Sequence, residues 1–209
     1  MRWRERKKYT LLLAQELQDQ LKKAGIKVIL TRTTDTYVDL SERPAMAHAL
    51  GADLFISLHF NASVEDSRDV EGVETYCLTP VGASSTNSRG EGADSPGTDG
   101  NHNNAKNLRL AYAVHRSLTA SLDVEDRGVR RARFEVLRDA DMPAILIEGG
   151  YMSHPQEGRK IFTAAYRKQM AHAIVNGIIA YQGAVAKPAT PQHTAPQPTA
   201  PPHAVPQHP

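Results

Sequence analysis

The chain has 209 residues, 40% hydrophobic and 23% charged, with 25 basic against 23 acidic side chains and a formal charge of +2. That is one domain of ordinary size; the charge is too small for a dedicated nucleic-acid binder, and no apolar run approaches the roughly 18 to 20 residues of a membrane-spanning helix. A single cysteine, Cys77, excludes an intramolecular disulfide and a cysteine-rich zinc site.

The basic start, Met1 to Lys8, is followed by only four apolar residues from Leu11 to Ala14. A secretory segment needs about 7 to 15, so no export signal is read. Leu13, Leu17 and Leu21 recur at helical spacing and Gly25 provides a stop, which predicts a helix almost from the first residue. Ile26 to Leu30 reads as a buried strand, Glu42 to about Leu50 as a helix capped by Ser41 and closed by Gly51, and Asp53 to His59 as a strand apolar on both faces. A further strand is expected at Val73 to Leu78. From Thr79 to Lys106 the composition turns polar, as in a functional lip or a disordered insertion.

A helix is predicted from about Ala105 to Leu122, with Leu108, Ala111, Tyr112, His115, Leu118 and Leu122 on its apolar stripe. Short strands are expected at Phe134 to Leu137 and Ala144 to Ile147. A last helix from Tyr166 to Tyr181 carries Met170, Ile174 and Ile178 on one side. The arginines Arg127, Arg130, Arg131, Arg133 and Arg138 read as a half-exposed charged strand face or as contacts for an acidic peptide. The final 25 residues hold eight of the thirteen prolines and read as an extended linker, in which His193, His203 and His208 offer at most a weak metal catch. The pattern predicts an α/β fold, a mainly parallel sheet with helices on both faces, over residues 1–183, followed by a Pro-rich disordered tail over 184–209.

Chemistry in such a fold gathers beyond the carboxyl ends of the strands. Two predicted strands end in strong ligand-type side chains: Leu54 to Leu58 ends at His59, and Ala144 to Ile147 ends at Glu148, followed by Gly149 and Gly150. Each alone is compatible with an ordinary structural histidine or a solvated carboxylate; together they suit metal-assisted hydrolysis. Nucleophilic catalysis is weakly supported, because there is no G-x-S-x-G elbow and Cys77 lies within a strand. A P-loop and a dinucleotide fingerprint are both missing.

The ordered pieces Gly25 to Arg32, Leu40 to Arg43, Ala52 to Ala62, Gly72 to Tyr76, Arg127 to Val129, Val136 to Arg138 and Met142 to Ser153 resemble the zinc-dependent N-acetylmuramoyl-L-alanine amidases of bacterial cell-wall turnover. The resemblance implies that His59 is a zinc ligand and that Glu148 is the catalytic carboxylate. It also implies a peptidoglycan substrate cut between muramic acid and L-alanine, and a place in the cell envelope. Members of that family open with a strand and an Asp-Pro-Gly-His-Gly-Gly type turn bearing another zinc ligand, and nothing here corresponds to it. The expectation is therefore a chain lacking the family's first strand, by truncation or a late start. The family's remaining ligand is a glutamate just before the first helix, for which Glu5 is the candidate. His48, His102, His115 and His154 match no family ligand position. Two functions follow as expectations: a zinc amidase, or an amidase-like module that binds peptidoglycan with impaired catalysis.

Overall fold

A computed structural model describes residues 3–62, 69–87, 92–93 and 95–186. The Pro-rich tail from Lys187, with its three histidines, and part of the polar insertion lie outside them.

Helix α1 (Trp3–Lys23) buries Leu13, Leu17 and Leu21 and ends at Gly25, whose φ of +76° only glycine adopts without strain. After α2 (Glu42–Ala49) come β1 (Phe55–Asn61) and β2 (Val73–Leu78). A 3₁₀ turn at Asp99–Asn103 then leads into α3 (Asn104–Ser121), followed by β3 (Asp126–Ala132) and the single turn α4 (Glu135–Arg138). The chain closes with β4 (Ala144–Tyr151), α5 (Pro155–Phe162) and α6 (Ala164–Ala186), the last running three residues past the expected domain end at 183.

The strands form one sheet in the order β1-β4-β2-β3. Pairs β1/β4 and β2/β3 are parallel and β2/β4 is antiparallel, so the α/β sheet is mainly parallel with one reversed seam. Side-chain alternation along the strands divides two cores. Val73, Cys77, Ile145 and Ile147 join α1, α3 and α6 in the larger one. Tyr76, Leu78, Ala144 and Leu146 join Val136 and Leu137 of α4, with Ala47 of α2, in the smaller.

Four expectations are corrected. Ile26 to Leu30 is extended but pairs with no strand, and Ile29 is 52% exposed; an apolar cleft separates it from β1, and a strand exists only with a neighbour within ladder distance. Phe134 to Leu137 is not a strand: Phe134 is extended and the chain then turns helically, with Leu137 N–H bonded to Phe134 C=O at 2.8 Å. The strand of that region is β3, whose arginines lie on the sheet edge. Tyr112 is 61% exposed, because the buried stripe of α3 runs through Asn107, Leu110, Ala111, Val114, His115 and Leu118 instead. Finally, β4 runs through Gly149 and Gly150 rather than stopping before them.

Candidate active site

His59 and Glu148 are register partners near the carboxyl ends of two adjoining parallel strands. Across the reversed seam Glu148 also lies opposite Glu74, so an imidazole and two carboxylates stand in one row over β1, β4 and β2. Period-2 alternation turns the apolar neighbours of each into the cores and leaves these polar groups at the crevice end of the sheet.

The half-buried His59 shares a 3.1 Å hydrogen bond between Nε2 and Ser57 Oγ. Burial, reinforced by the charges of Arg6 and Arg43, lowers its pKa to about 4, so the ring is neutral at physiological pH and can act as a donor to a metal. Glu148 is 9% exposed and its Oε2 is a buried oxygen without a hydrogen-bond partner. Burial raises its pKa to about 8; Arg6 pulls the other way and Glu74 adds to the rise. A buried carboxylate oxygen with no partner in the fold is a group kept for something outside it.

Glu74 is buried and fully engaged. Its Oε1 accepts from Arg127 Nε at 2.8 Å and from Tyr151 Oη at 3.3 Å, Arg130 Nε lies 3.4 Å away, and its Oε2 accepts from Tyr76 Oη at 2.8 Å. The Arg127 guanidinium also lies over the Tyr151 ring, 5.3 Å from its centroid. Glu157, on the first turn of α5, accepts from Gly72 N at 3.1 Å and from Tyr151 N, tying the start of β2 to the end of β4. Gly150 is required there: its φ is +120° and a Cβ would lie 2.7 Å from the Glu157 carboxyl carbon. Sequence reasoning missed the roles of Glu74 and Glu157. The available signals were a carboxylate inside an otherwise apolar strand and an acid in the first turn after His154-Pro155.

Three of the other histidines have structural partners. His115 bridges Thr75 Oγ1 and Asp126 Oδ1, His154 caps α5 by accepting from Glu157 N, and His48 pairs with Asp141. Cys77 is buried, which pushes its thiol pKa up, away from nucleophile behaviour. A catalytic zinc takes three protein ligands and an open position. Neutral His59 suits one of them, with the bare Glu148 oxygen at the same sheet level. Glu5, however, is exposed and sits inside the first turn of α1 rather than before the helix. Among the described residues no three His, Cys, Asp or Glu side chains converge to hold a metal, so these residues supply part of a zinc site and do not complete one.

The family model for N-acetylmuramoyl-L-alanine amidase matches residues 4–180. The chain belongs to this amidase family. It is 33% identical over 175 residues to YqiI of Bacillus subtilis, covering 84% of this chain and 73% of that protein. It is 31% identical to the N-acetylmuramoyl-L-alanine amidase LytC of the same organism, with 84% of this chain matched to only 31% of the longer relative. With the amidase AmiA of Salmonella typhimurium it shares 31% identity over 85% of this chain and 68% of AmiA. Among solved structures, the N-acetylmuramoyl-L-alanine amidase of Clostridium difficile 630 superposes with a TM-score of 0.70 at 33% identity, covering 85% of this chain and 84% of that one. The amidase fold thus places His59 and Glu148 on adjoining strands of its sheet, and the chain is an amidase by family membership. Among the described residues no helix is long and apolar enough to cross a membrane.

Proposed function

We propose that this amidase hydrolyses peptidoglycan at the amide between the lactyl group of N-acetylmuramic acid and L-alanine, with Glu148 as the general base. The observation that carries the reading is the register pairing of neutral His59 with a buried Glu148 whose Oε2 has no partner in the fold. In this reading water adds to the lactyl carbonyl carbon as Glu148 accepts its proton. The C–N bond then breaks, and Glu148 returns the proton to the departing alanine nitrogen. Burial raises the Glu148 pKa to about 8, with Arg6 opposing the rise, so the fraction able to act as a base grows as the pH rises towards that value. We further propose zinc as the cofactor, with His59 as one ligand and Glu5 as the candidate second. When bound it would supply Lewis acidity at the carbonyl oxygen. The catalytic unit is assigned to residues 1–183, with 184–209 as a Pro-rich linker, and the substrate places the activity in the cell envelope. The relatives' activities favour this reading over a binding module.

The test is hydrolysis of a defined N-acetylmuramoyl-peptide by the zinc-supplemented chain in ¹⁸O-water. The expected products are a peptide with a free L-alanine amino group and one ¹⁸O in the lactyl carboxylate. Glu148→Gln should lower turnover by about 10²- to 10⁴-fold while still binding zinc, and His59→Ala should weaken zinc binding. Cleavage at a glycosidic or cross-link bond, or an active Glu148→Gln, would sink the assignment.

A further inference from the structure

The polar row does not stop at Glu148. It crosses the sheet from His59 on β1 to Glu148 on β4 and Glu74 on β2, and the edge strand β3 then supplies Arg127 and Arg130. These groups share one face. Leu146 and Tyr76, two residues from Glu148 and Glu74, belong to the smaller core, whereas the adjacent Ile147 and Cys77 belong to the larger. Simple alternation would turn Tyr151 away from that face. An irregularity in the β1/β4 register between His59 and Asn61 brings it back, and its Oη reaches Glu74.

Glu74 is 2% exposed, and its two oxygens meet two guanidiniums and two phenols. One carboxylate against two cations leaves the cluster with a positive charge in excess, and among the described residues neither arginine meets another carboxylate. The two arginines are held differently. Arg130 donates Nε to Arg127 C=O at 3.1 Å and Nη1 to Thr86 C=O at 3.4 Å, which ties it to the sheet edge. Arg127 donates Nε to Glu74 at 2.8 Å and lies over the Tyr151 ring, while its side chain stays 29% exposed and, among the described residues, its Nη groups bond no backbone carbonyl. A guanidinium fixed at Nε by a buried acid and across its face by a ring presents its outer Nη edge in one orientation. That is the arrangement that recognises a carboxylate through two parallel hydrogen bonds.

We propose that Arg127 is a specificity-determining residue, which receives the α-carboxylate of the residue following the alanine of the cleaved amide and so selects it over the corresponding carboxamide. The assignment rests on the reading of Glu148 as the base at that amide. Reach supports it. The guanidinium stands between Tyr151 and Glu74, one to two strand spacings from Glu148, or about 5–10 Å. In an extended peptide the α-carboxyl carbon of the second residue lies about 6–7 Å from the alanine nitrogen, within that span; that of a third residue lies about 10–11 Å away, at or beyond its far end. The peptide then leaves Glu148 towards β2 and β3, and the muramoyl side points towards β1 and His59. A carboxamide at Arg127 would offer one acceptor in place of two and would leave the excess charge uncompensated. Because Arg127 is partly exposed, solvent screening sets a moderate discrimination.

The probes are N-acetylmuramoyl-L-alanyl dipeptides ending in a free α-carboxylate or an α-carboxamide, and a tripeptide whose only carboxylate is on its third residue. They are titrated calorimetrically into the full chain with chelator present, so that no carboxylate binds through a metal. The free dipeptide should bind about fivefold to tenfold tighter than its carboxamide, with the advantage shrinking as salt is raised, and tighter than the tripeptide. Arg127→Gln should bring the two dipeptides within about twofold of each other while leaving the carboxamide affinity unchanged. Arg127→Lys, which keeps a cation beside Glu74 without the fork, should fall between, and it carries the comparison if the glutamine variant does not fold. A parent chain without the preference, with no measurable binding of the free dipeptide counted as such, would overturn the proposal. So would a tripeptide favoured over the dipeptide, a preference that survives in Arg127→Gln, or a loss of affinity equal for both dipeptides. Cleavage by the zinc-supplemented chain separates the two readings: cutting at another bond sinks the amidase assignment, whereas equal kcat/KM for the two dipeptides, both cut at the lactyl amide, sinks the role of Arg127 alone.

Discussion

Glu148 and His59 face each other in register with opposite costs of burial. A carboxyl whose folded pKa lies above its ordinary 4.5 burdens the folded state wherever it is ionised; that burden is complete above about pH 8, shrinks as the pH falls, and is gone near 4.5. A histidine lowered from 6.5 to about 4 behaves in the reverse sense: its neutral form fits the fold, and stability is lost as the pH drops from 6.5 towards 4. Removing the charge at Glu148 should therefore stabilise the chain while disabling it, as expected where a site is strained for function. Glu148→Gln should be more stable than the parent by about 1–3 kcal/mol at pH 8.5 in the presence of chelator, with the gap closing near pH 4.5. Urea unfolding at the two pH values measures it; a variant less stable at pH 8.5 would mean that the carboxylate is satisfied by groups other than those seen here. His59→Gln should flatten the acid limb between pH 6.5 and 4 in the same experiment.

Between elements, a few side chains carry joints that local sequence does not announce. Glu157 holds the N–H groups of Gly72, 85 residues away, and Tyr151, so Glu157→Ala strands two buried donors and should cost about 2–4 kcal/mol in urea unfolding. Glu157→Gln, keeping one acceptor, should cost less. α3 and α6 touch backbone to backbone at Gly177, where a Cβ would lie 2.5 Å from Val114 Cα. Gly177→Ala must push the helices apart, and a loss of about 1–3 kcal/mol is expected despite alanine's better helix propensity. These joints explain what sequence could and could not deliver. The apolar runs at 55–61, 73–78 and 144–151 are legible because burial on both faces leaves a continuous hydrophobic signature. Ile26–Leu30 carries the same signature without a neighbour to pair with, and β3 is rich in arginine because it forms an edge. His59 and Glu148 stand out as polar ends of apolar runs, whereas Glu74 gains its meaning only from Arg127, 53 residues on.

At the scale of the molecule, the candidate site straddles a gradient of stability. β4 is an interior strand, paired on both sides and buried along its whole length, and it carries Glu148. β1 carries His59 on a strand with one open edge, and beyond it the segment from Ile26 to Leu40 has little main-chain hydrogen bonding and several exposed apolar side chains. Regions with few buried contacts and solvent-facing amides open at low free-energy cost, whereas central strands exchange only through global unfolding. Amide exchange should therefore be close to intrinsic rates over 28–37 and at least about 10³-fold slower at Ile145 and Ile147. Within β1 it should alternate. Ser57, bonded toward β4, should exchange slowly, while Ile56 and Leu58, facing the cleft, exchange quickly. Uniform protection along β1 would mean that its outer edge is already covered in solution, and the His59 side of the site would then be as rigid as the Glu148 side. Alternating protection would instead show that His59 stands on a strand held from the β4 side alone, and that the two halves of the site differ in rigidity.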